Sequence, residues 1–344
     1  MEEDYKIKGI LTPGKVITIS IIMCLILALV TVISLVMGTA DVSFKQVASM
    51  IYGTLSSDDP ARLIILKIRL PRIILAGVVG FALSLGGVTF QAILRNPLAD
   101  PFILGVSSGS AFGAVLAITF GLSYSLGVPI MSFLGALLTI YLVMSLGARK
   151  MGMESSTILL TGVIINAFFT AIIMFFISTS ADDRLHTMLF WLYGDLAQSQ
   201  YTQLVIITPI ILLAAIILYS YARDLNIITT GDDIASQLGV DVERTKKIGL
   251  LTVSLIMGLV VAFSGLIGFV GLIVPHLARM AFRSDHRMLI PVASLGGAIF
   301  LIAADTLART VLSPNELPVG VITAFLGAPF FLILLRKRGS QWNR

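Results

Sequence analysis

Six residues, KIRLPR from Lys67 to Arg72, place three cations beside a long apolar run, RIILAGVVGFALSLGGVTFQAIL. Far along the chain, Asp305 and Arg309 stand four residues apart inside another apolar run. That is the spacing of an ion pair on one helix face, and a long arginine there can also snorkel to headgroups. The other chemistry open to Arg69, Arg72 and Arg309 is recognition: a basic surface can orient and speed the docking of an acidic partner. Spacing alone leaves both readings standing. The remaining candidates are few. His186, His276 and His286 are scattered without metal-ligand spacing, and His276, following Pro275, reads as structural. Neither a GxxxxGK[ST] phosphate loop nor an HExxH motif occurs. The polar residues within apolar runs are chiefly Gln91, Thr161, Asn166 and Asp305. An ion-driven transporter generally needs buried carboxylates or broken-helix ion sites, and here one carboxylate stands beside an arginine.

These side chains must be positioned by membrane-spanning helices. The chain of 344 residues is 57% hydrophobic and 12% charged, with mean hydropathy +0.97; a soluble domain carries about a quarter charged residues. Long unbroken apolar runs indicate helices rather than the short alternating strands of a barrel. The net charge of +5 then records topology, not nucleic-acid binding. The single cysteine, Cys24, lies in the first run and excludes a disulfide within the chain. Eight spans are read near 16–38, 73–94, 102–122, 125–147, 157–178, 204–221, 289–308 and 318–335. The stretch 248–278 is too long for one crossing and has cations at both ends, so it reads as two short spans, 248–263 and 267–281. Ten spans put both termini on one side. With the termini inside, 17 Lys and Arg fall inside and 7 outside, the expected bias. The chain is thus one transmembrane domain, 1–344, with cytoplasmic tails 1–14 and 337–344. KIRLPR lies outside, against the trend.

Two connections carry further signals. In RNPLADPFILGVSSGSAFGA, Asp100 and Pro101 mark a helix start, and Gly105, Gly109 and Gly113 form a doubled GxxxG suited to close helix packing. The longest inner loop, ARDLNIITTGDDIASQLGVDVERTKK at 222–247, contains two short-helix signals and reads as a docking surface rather than a connector.

Taken together, KIRLPRIILAGVVGFALSLGGVTFQAILRNPLADPFILGVSSGSAFGA, GLIGFVGLIVPHLAR, ADTLAR, ELPVGVITAFLGAPFFLILL and GDDIASQLGV resemble the FecCD family over about residues 15–337. These are permease subunits of ABC importers for iron–siderophores, haem and vitamin B12. The resemblance implies an all-α polytopic fold of the type II importer class, with ten helices and inverted repeats over spans two to five and seven to ten. It implies a homodimer (a heterodimer in some members) in the cytoplasmic membrane, with the fifth and tenth spans lining the pathway. Two separate ATPase subunits would bind Gly231, Asp232, Ala235, Gln237, Leu238 and Gly239 in the 222–247 loop. A solute-binding protein outside would meet Arg69, Arg72 and Arg309. The cytoplasmic gate would map onto Asn96, Leu98, Ser155 and Ser156. The chain itself would be no enzyme and bind no cofactor, ATP and Mg belonging to the partner subunit. The implied cargo is an iron–siderophore type chelate, with corrinoid or haem as alternatives and an ion-coupled secondary transporter as a more distant one.

Overall fold

The computed structural model describes residues 11–56, 58–147, 155–180 and 182–342. It is helical throughout, and no strand occurs among the described residues. Helix α1 (Pro13–Val36) starts at the Thr12 cap with proline in its first turn. Two short helices follow, α2 (Phe44–Ile51) and α3 (Pro60–Leu63), and α3 runs through a π turn at Ile64–Arg69 into α4 (Leu70–Ile93). A 3-10 turn, Pro101–Leu104, precedes α5 (Val106–Thr119), which is followed by α6 (Gly127–Gly147), α7 (Ser155–Thr179), α8 (Asp182–Leu192) and α9 (Tyr201–Ser220). The 222–247 loop holds α10 (Ala222–Ile228) and α11 (Asp232–Gln237). The chain closes with α12 (Val242–Ser264), α13 (Val270–Phe282), α14 (His286–Thr310) and α15 (Val319–Trp342).

Among the described residues, seven helices are long and apolar enough to cross a bilayer, and three shorter apolar ones, Val106–Thr119, Val270–Phe282 and Val319–Leu334, bring the number to the ten expected spans. The 248–281 hairpin is present. Gly265, at φ 65°, ends α12, and the chain re-enters a helix, α13, five residues later at Val270. The sequence reading did not foresee α2, α3 or α8, which lack the length that makes an apolar run conspicuous.

The two units α4–α7 and α12–α15 match helix for helix. Their lengths are 24, 14, 21 and 25 residues in the first and 23, 13, 25 and 24 in the second. The second helix of each is short. The pairing is exchanged as well: α4 packs along α14, and α12 packs along α6. Helix α4 is the hub, buried over most of its length, whereas α1 lies on the outside of the bundle.

Small residues set these contacts. A Cβ on Gly80 would lie 2.1 Å from the Gly297 carbonyl, and one on Gly297 would lie 2.2 Å from the Gly80 carbonyl. The expected GxxxG contact also forms, for a Cβ on Gly135 would meet the Gly109 carbonyl at 2.0 Å. In lipid no hydrophobic force draws helices together, so such close approach carries much of the association. Substituting Gly297→Val should therefore separate α4 from α14 and cost on the order of 3 kcal/mol or more. Thermal unfolding in detergent should show a clearly lowered midpoint, while Gly268→Ala, where a Cβ meets nothing within 4 Å, should unfold like the native chain.

Candidate functional site

Two clusters of charge stand at opposite ends of the bundle. At one end the π turn carries Lys67 and Arg69 into α4. Pro71 cannot donate a backbone hydrogen bond, and the widened turn, with Leu70 N–H donating to the Ile65 carbonyl, accommodates the gap. Arg69 is turned inward. Its guanidinium donates to the carbonyls of Leu35 at 2.5 Å and Val36 at 2.9 Å, and to that of Ala40. These include the last carbonyls of α1, which have no partner within their own helix, and a cation is also favoured there by the helix dipole. Gly38 gives the guanidinium room, since a Cβ there would lie 2.6 Å from Nη2.

Arg72 and Arg309 share Asp305. Arg72 donates from Nε to both carboxylate oxygens, at 3.0 and 3.1 Å, and its Nη2 lies 2.9 Å from Oδ1. The Nε of Arg309 lies 3.1 Å from Oδ2, the i,i+4 pair foreseen from spacing. Arg309 also donates to Ser34 Oγ at 2.7 Å and to the Met37 carbonyl at 3.3 Å. A second carboxylate, Glu316, meets Arg72 Nη1 at 2.5 Å. Asp305 and both arginines are buried, and Glu316 is the member of the group that reaches solvent, with 36% of its side chain exposed. These are the three arginines that the resemblance assigns to a binding protein. All three are internal, held by carbonyls and carboxylates of the same chain, and Lys67 is the cation of KIRLPR that is exposed. Glu316 went unread in the sequence, although four positive charges near two apolar runs already called for more than one carboxylate.

Nearby, Asp195 follows α8 and accepts from the Ala197 N–H at 2.7 Å. Burial raises its carboxyl above the ordinary range, with Asp305 and Glu316 adding to the effect and the Ala197 N–H and then Arg72 opposing it.

At the other end lie the 222–247 helices and the turn after α4. In α11 Ala235 is buried against the bundle, while Ile234 and Leu238 are 49% and 65% exposed and Gln237 is exposed. Gly231 at φ 131° and Gly239 at φ 85° allow the sharp turns that bracket the helix. Asp232 in its first turn accepts from Lys246 Nζ at 2.5 Å and lies 3.7 Å from Arg95 Nη2. Helix α10 is pinned to α14 through Asn226, which donates to Asp285 Oδ1 at 2.9 Å and accepts from the His286 N–H at 2.8 Å. In the turn, Asn96 Oδ1 accepts from the Leu98 N–H at 2.9 Å, Asp100 Oδ1 accepts from the Phe102 N–H at 2.8 Å, and Leu98 is exposed. Ser155 and Ser156 open α7, but their side chains and the segment 148–154 lie outside the described residues. His276 packs its ring against Phe330 and Phe331, 6.0 and 6.5 Å away, as a structural histidine would.

Hydrogen bonds from Arg287 hold the Asp285 carboxyl at about 2; partial burial opposes them and Asn226 assists. A carboxyl depressed from 3.8 stabilises the fold above its unfolded value and loses that contribution as pH falls through about 2. The thermal midpoint of Asp285→Asn should accordingly lie below that of the native chain by a constant gap from pH 8 to about pH 5, and the gap should close as the medium is acidified further. A gap unchanged at about pH 3 would contradict the assignment.

Comparison with known proteins adds the family. The model of the FecCD transport family matches residues 26–337. The hemin transport system permease protein HmuU of Yersinia pestis is 40% identical over 318 residues, covering 91% of this chain and 95% of the relative. The cobalamin import system permease protein BtuC of Halobacterium salinarum is 42% identical over 280 residues, covering 81% of this chain and 75% of the relative. A solved metal-chelate type ABC transporter in an inward-facing conformation superposes with a TM-score of 0.81 at 33% identity, over 94% of this chain and 99% of that one. With ten apolar helices, the exchanged pairing of two matching units and a family match over most of its length, the chain belongs to the FecCD transport family.

Proposed function

We propose that the chain is the permease subunit of an ATP-driven importer that carries a metal chelate of the ferric-siderophore class through the cytoplasmic membrane by alternating access. Both termini and the 222–247 loop face the cytoplasm. Two copies form a homodimer through α7 and α15, whose bulky apolar faces, including Phe168, Phe175, Phe325 and Leu332, are open in the single chain. ATP and Mg are held by two separate ATPase subunits, and affinity for the solute resides in a binding protein on the outer side. The observation that carries this reading is the pair Ile234 and Leu238, presented on a short polar helix at the tip of the bundle. A solvated connector has no use for such an exposed apolar pair, whereas a partner surface does. The chain's relatives named for hemin and cobalamin support large, metal-bearing cargo; corrinoid and haem are the alternatives that the test must separate.

The outer end is the docking face. In this reading Lys45 and Lys67, both exposed, steer the acidic partner, and Arg69, Arg72 and Arg309 hold the platform in shape behind them. Arg72 would contact the partner directly only by exchanging Glu316 for one of its carboxylates.

Two measurements follow. A tagged chain purified from native membranes should bring down a P-loop ATPase and a binding protein, and the absorbance spectrum of the bound ligand should distinguish ferric siderophore, haem and corrinoid. Recovery of the chain alone, under conditions that preserve other ABC complexes, would overturn the importer reading in favour of ion-gradient transport in liposomes. Second, Lys45→Glu with Lys67→Glu should slow association of the binding protein by about tenfold or more at low salt, with the difference shrinking as ionic strength rises. Arg72→Ala, by contrast, should lower the yield of folded chain by uncovering Asp305 and Glu316.

A further inference from the structure

Among the described residues, three polar ties join the α10–α11 unit to the bundle, and they are unequal. Asn226 joins α10 to Asp285 and His286 at the start of α14 through hydrogen bonds of 2.9 and 2.8 Å. Asp232 joins α11 to α12 through Lys246, whose side chain is only 8% exposed, at 2.5 Å. Breaking such a pair would strand a buried charge, so this tie is expected to persist through a conformational change. The third tie runs from the same Asp232 oxygen to Arg95, at 3.7 Å between side chains 45% and 38% exposed. A solvated pair beyond hydrogen-bond distance is weak and easily remade.

The backbone singles out Arg95 as well. Helix α4 ends with the Asn96 N–H donating to the Gln91 carbonyl at 3.1 Å and the Arg95 N–H donating to the Ala92 carbonyl at 3.2 Å. This is a Schellman ending, in which the residue at Arg95 adopts the left-handed conformation that glycine takes at least cost. Arg95 sits there at φ 49°. An arginine held at a glycine position points to a use for its side chain. That side chain lies over α11, with Nη1 3.7 Å from the Cβ that Gly231 lacks, and it grows from the residue just before Asn96 and Leu98.

We propose that Arg95 is a positioning residue that links α11 to the turn 94–100, and that its contact with Asp232 is the joint that is remade when an ATPase pushes α11. Lys246 meanwhile keeps α11 fixed to α12. This rests on the importer reading above. The joint explains how a displacement at the loop reaches the turn without tearing the helices apart: α10, α11, α12 and α14 move as one body, and the turn shifts against it.

The test uses the full chain in complex with its ATPase in nanodiscs, with spin labels at Ser236 and Leu98 in one sample and at Ser236 and Leu255 in another. Pulsed dipolar distances are compared between the nucleotide-free and the vanadate-trapped states. The native chain should show the 236–98 distance shifting by more than the width of its nucleotide-free distribution, while the 236–255 distance stays fixed. Arg95→Gly should unfold at the same or a higher temperature, because it relieves the left-handed arginine, yet its 236–98 distance should no longer follow nucleotide. Arg95→Lys should restore that response, which a purely structural role would not predict. The proposal is overturned if Arg95→Gly follows nucleotide as the native chain does, or if the 236–255 distance shifts as much as the 236–98 distance. Failure of the importer reading looks different: the ATPase does not co-purify, or nucleotide moves neither distance in the native chain.

Discussion

One carboxylate, Asp305, is shared by two buried guanidiniums, and the end of the molecule that carries KIRLPR is organised around it. Charge in a low-dielectric interior is tolerated only when it is paired and hydrogen-bonded, and removing one member strands the others. Through Arg72 the cluster holds α4, through Arg309 it holds the end of α14 and reaches Ser34 in α1, and through Glu316 it holds the connection into α15. Arg69 completes the frame by capping the carbonyls at the end of α1. The outer helix α1, which buries little of its own surface, is thus attached at this end largely by polar contacts that lipid cannot replace.

Between the two ends the constraint changes from charge to shape. Glycine contacts let α4 lie against α14 and α5 against α6 at backbone distance, and a well-packed interior of this kind shifts between discrete arrangements rather than deforming smoothly. Movement is then concentrated where main chain leaves the packed body. The turn after α4, with its left-handed arginine, and the 265–269 link between α12 and α13 are two such exits. Beside the link, the Asp195 N–H donates to the Ser264 carbonyl and the Val319 N–H donates to the Gly194 carbonyl, so the irregular backbone next to it has protein partners, as a membrane protein needs.

The spans were legible in the sequence because a bilayer imposes a length on every crossing, and the cations flanking 248–278 were enough to divide that run in two. The Asp305–Arg309 pair was legible because an i,i+4 spacing predicts contact within one helix. What lay beyond it was not. Arg72 is 233 residues from Asp305, and no local pattern shows that the two meet or that Arg69 and Arg72 face inward. The same limit hid Glu316 and the meeting of Arg95 with Asp232. Helices α2, α3 and α8 escaped notice for a simpler reason, being too short for their apolar residues to form a run. Residue types identified where charge was needed, while the partners that each charge meets within the chain were set by tertiary structure.

The Asp305 cluster has an electrical consequence. Arg72, Arg309, Asp305 and Glu316 contribute two positive and two negative charges within a few ångströms. A charge displaced across a membrane exchanges about 2.3 kcal/mol with the field per 100 mV, but a group whose charges cancel and move together exchanges almost none. These four ionised residues can shift with their helices during a transport cycle without doing work on, or drawing work from, the membrane potential. Within this group, charged side chains can be kept without making it a voltage sensor.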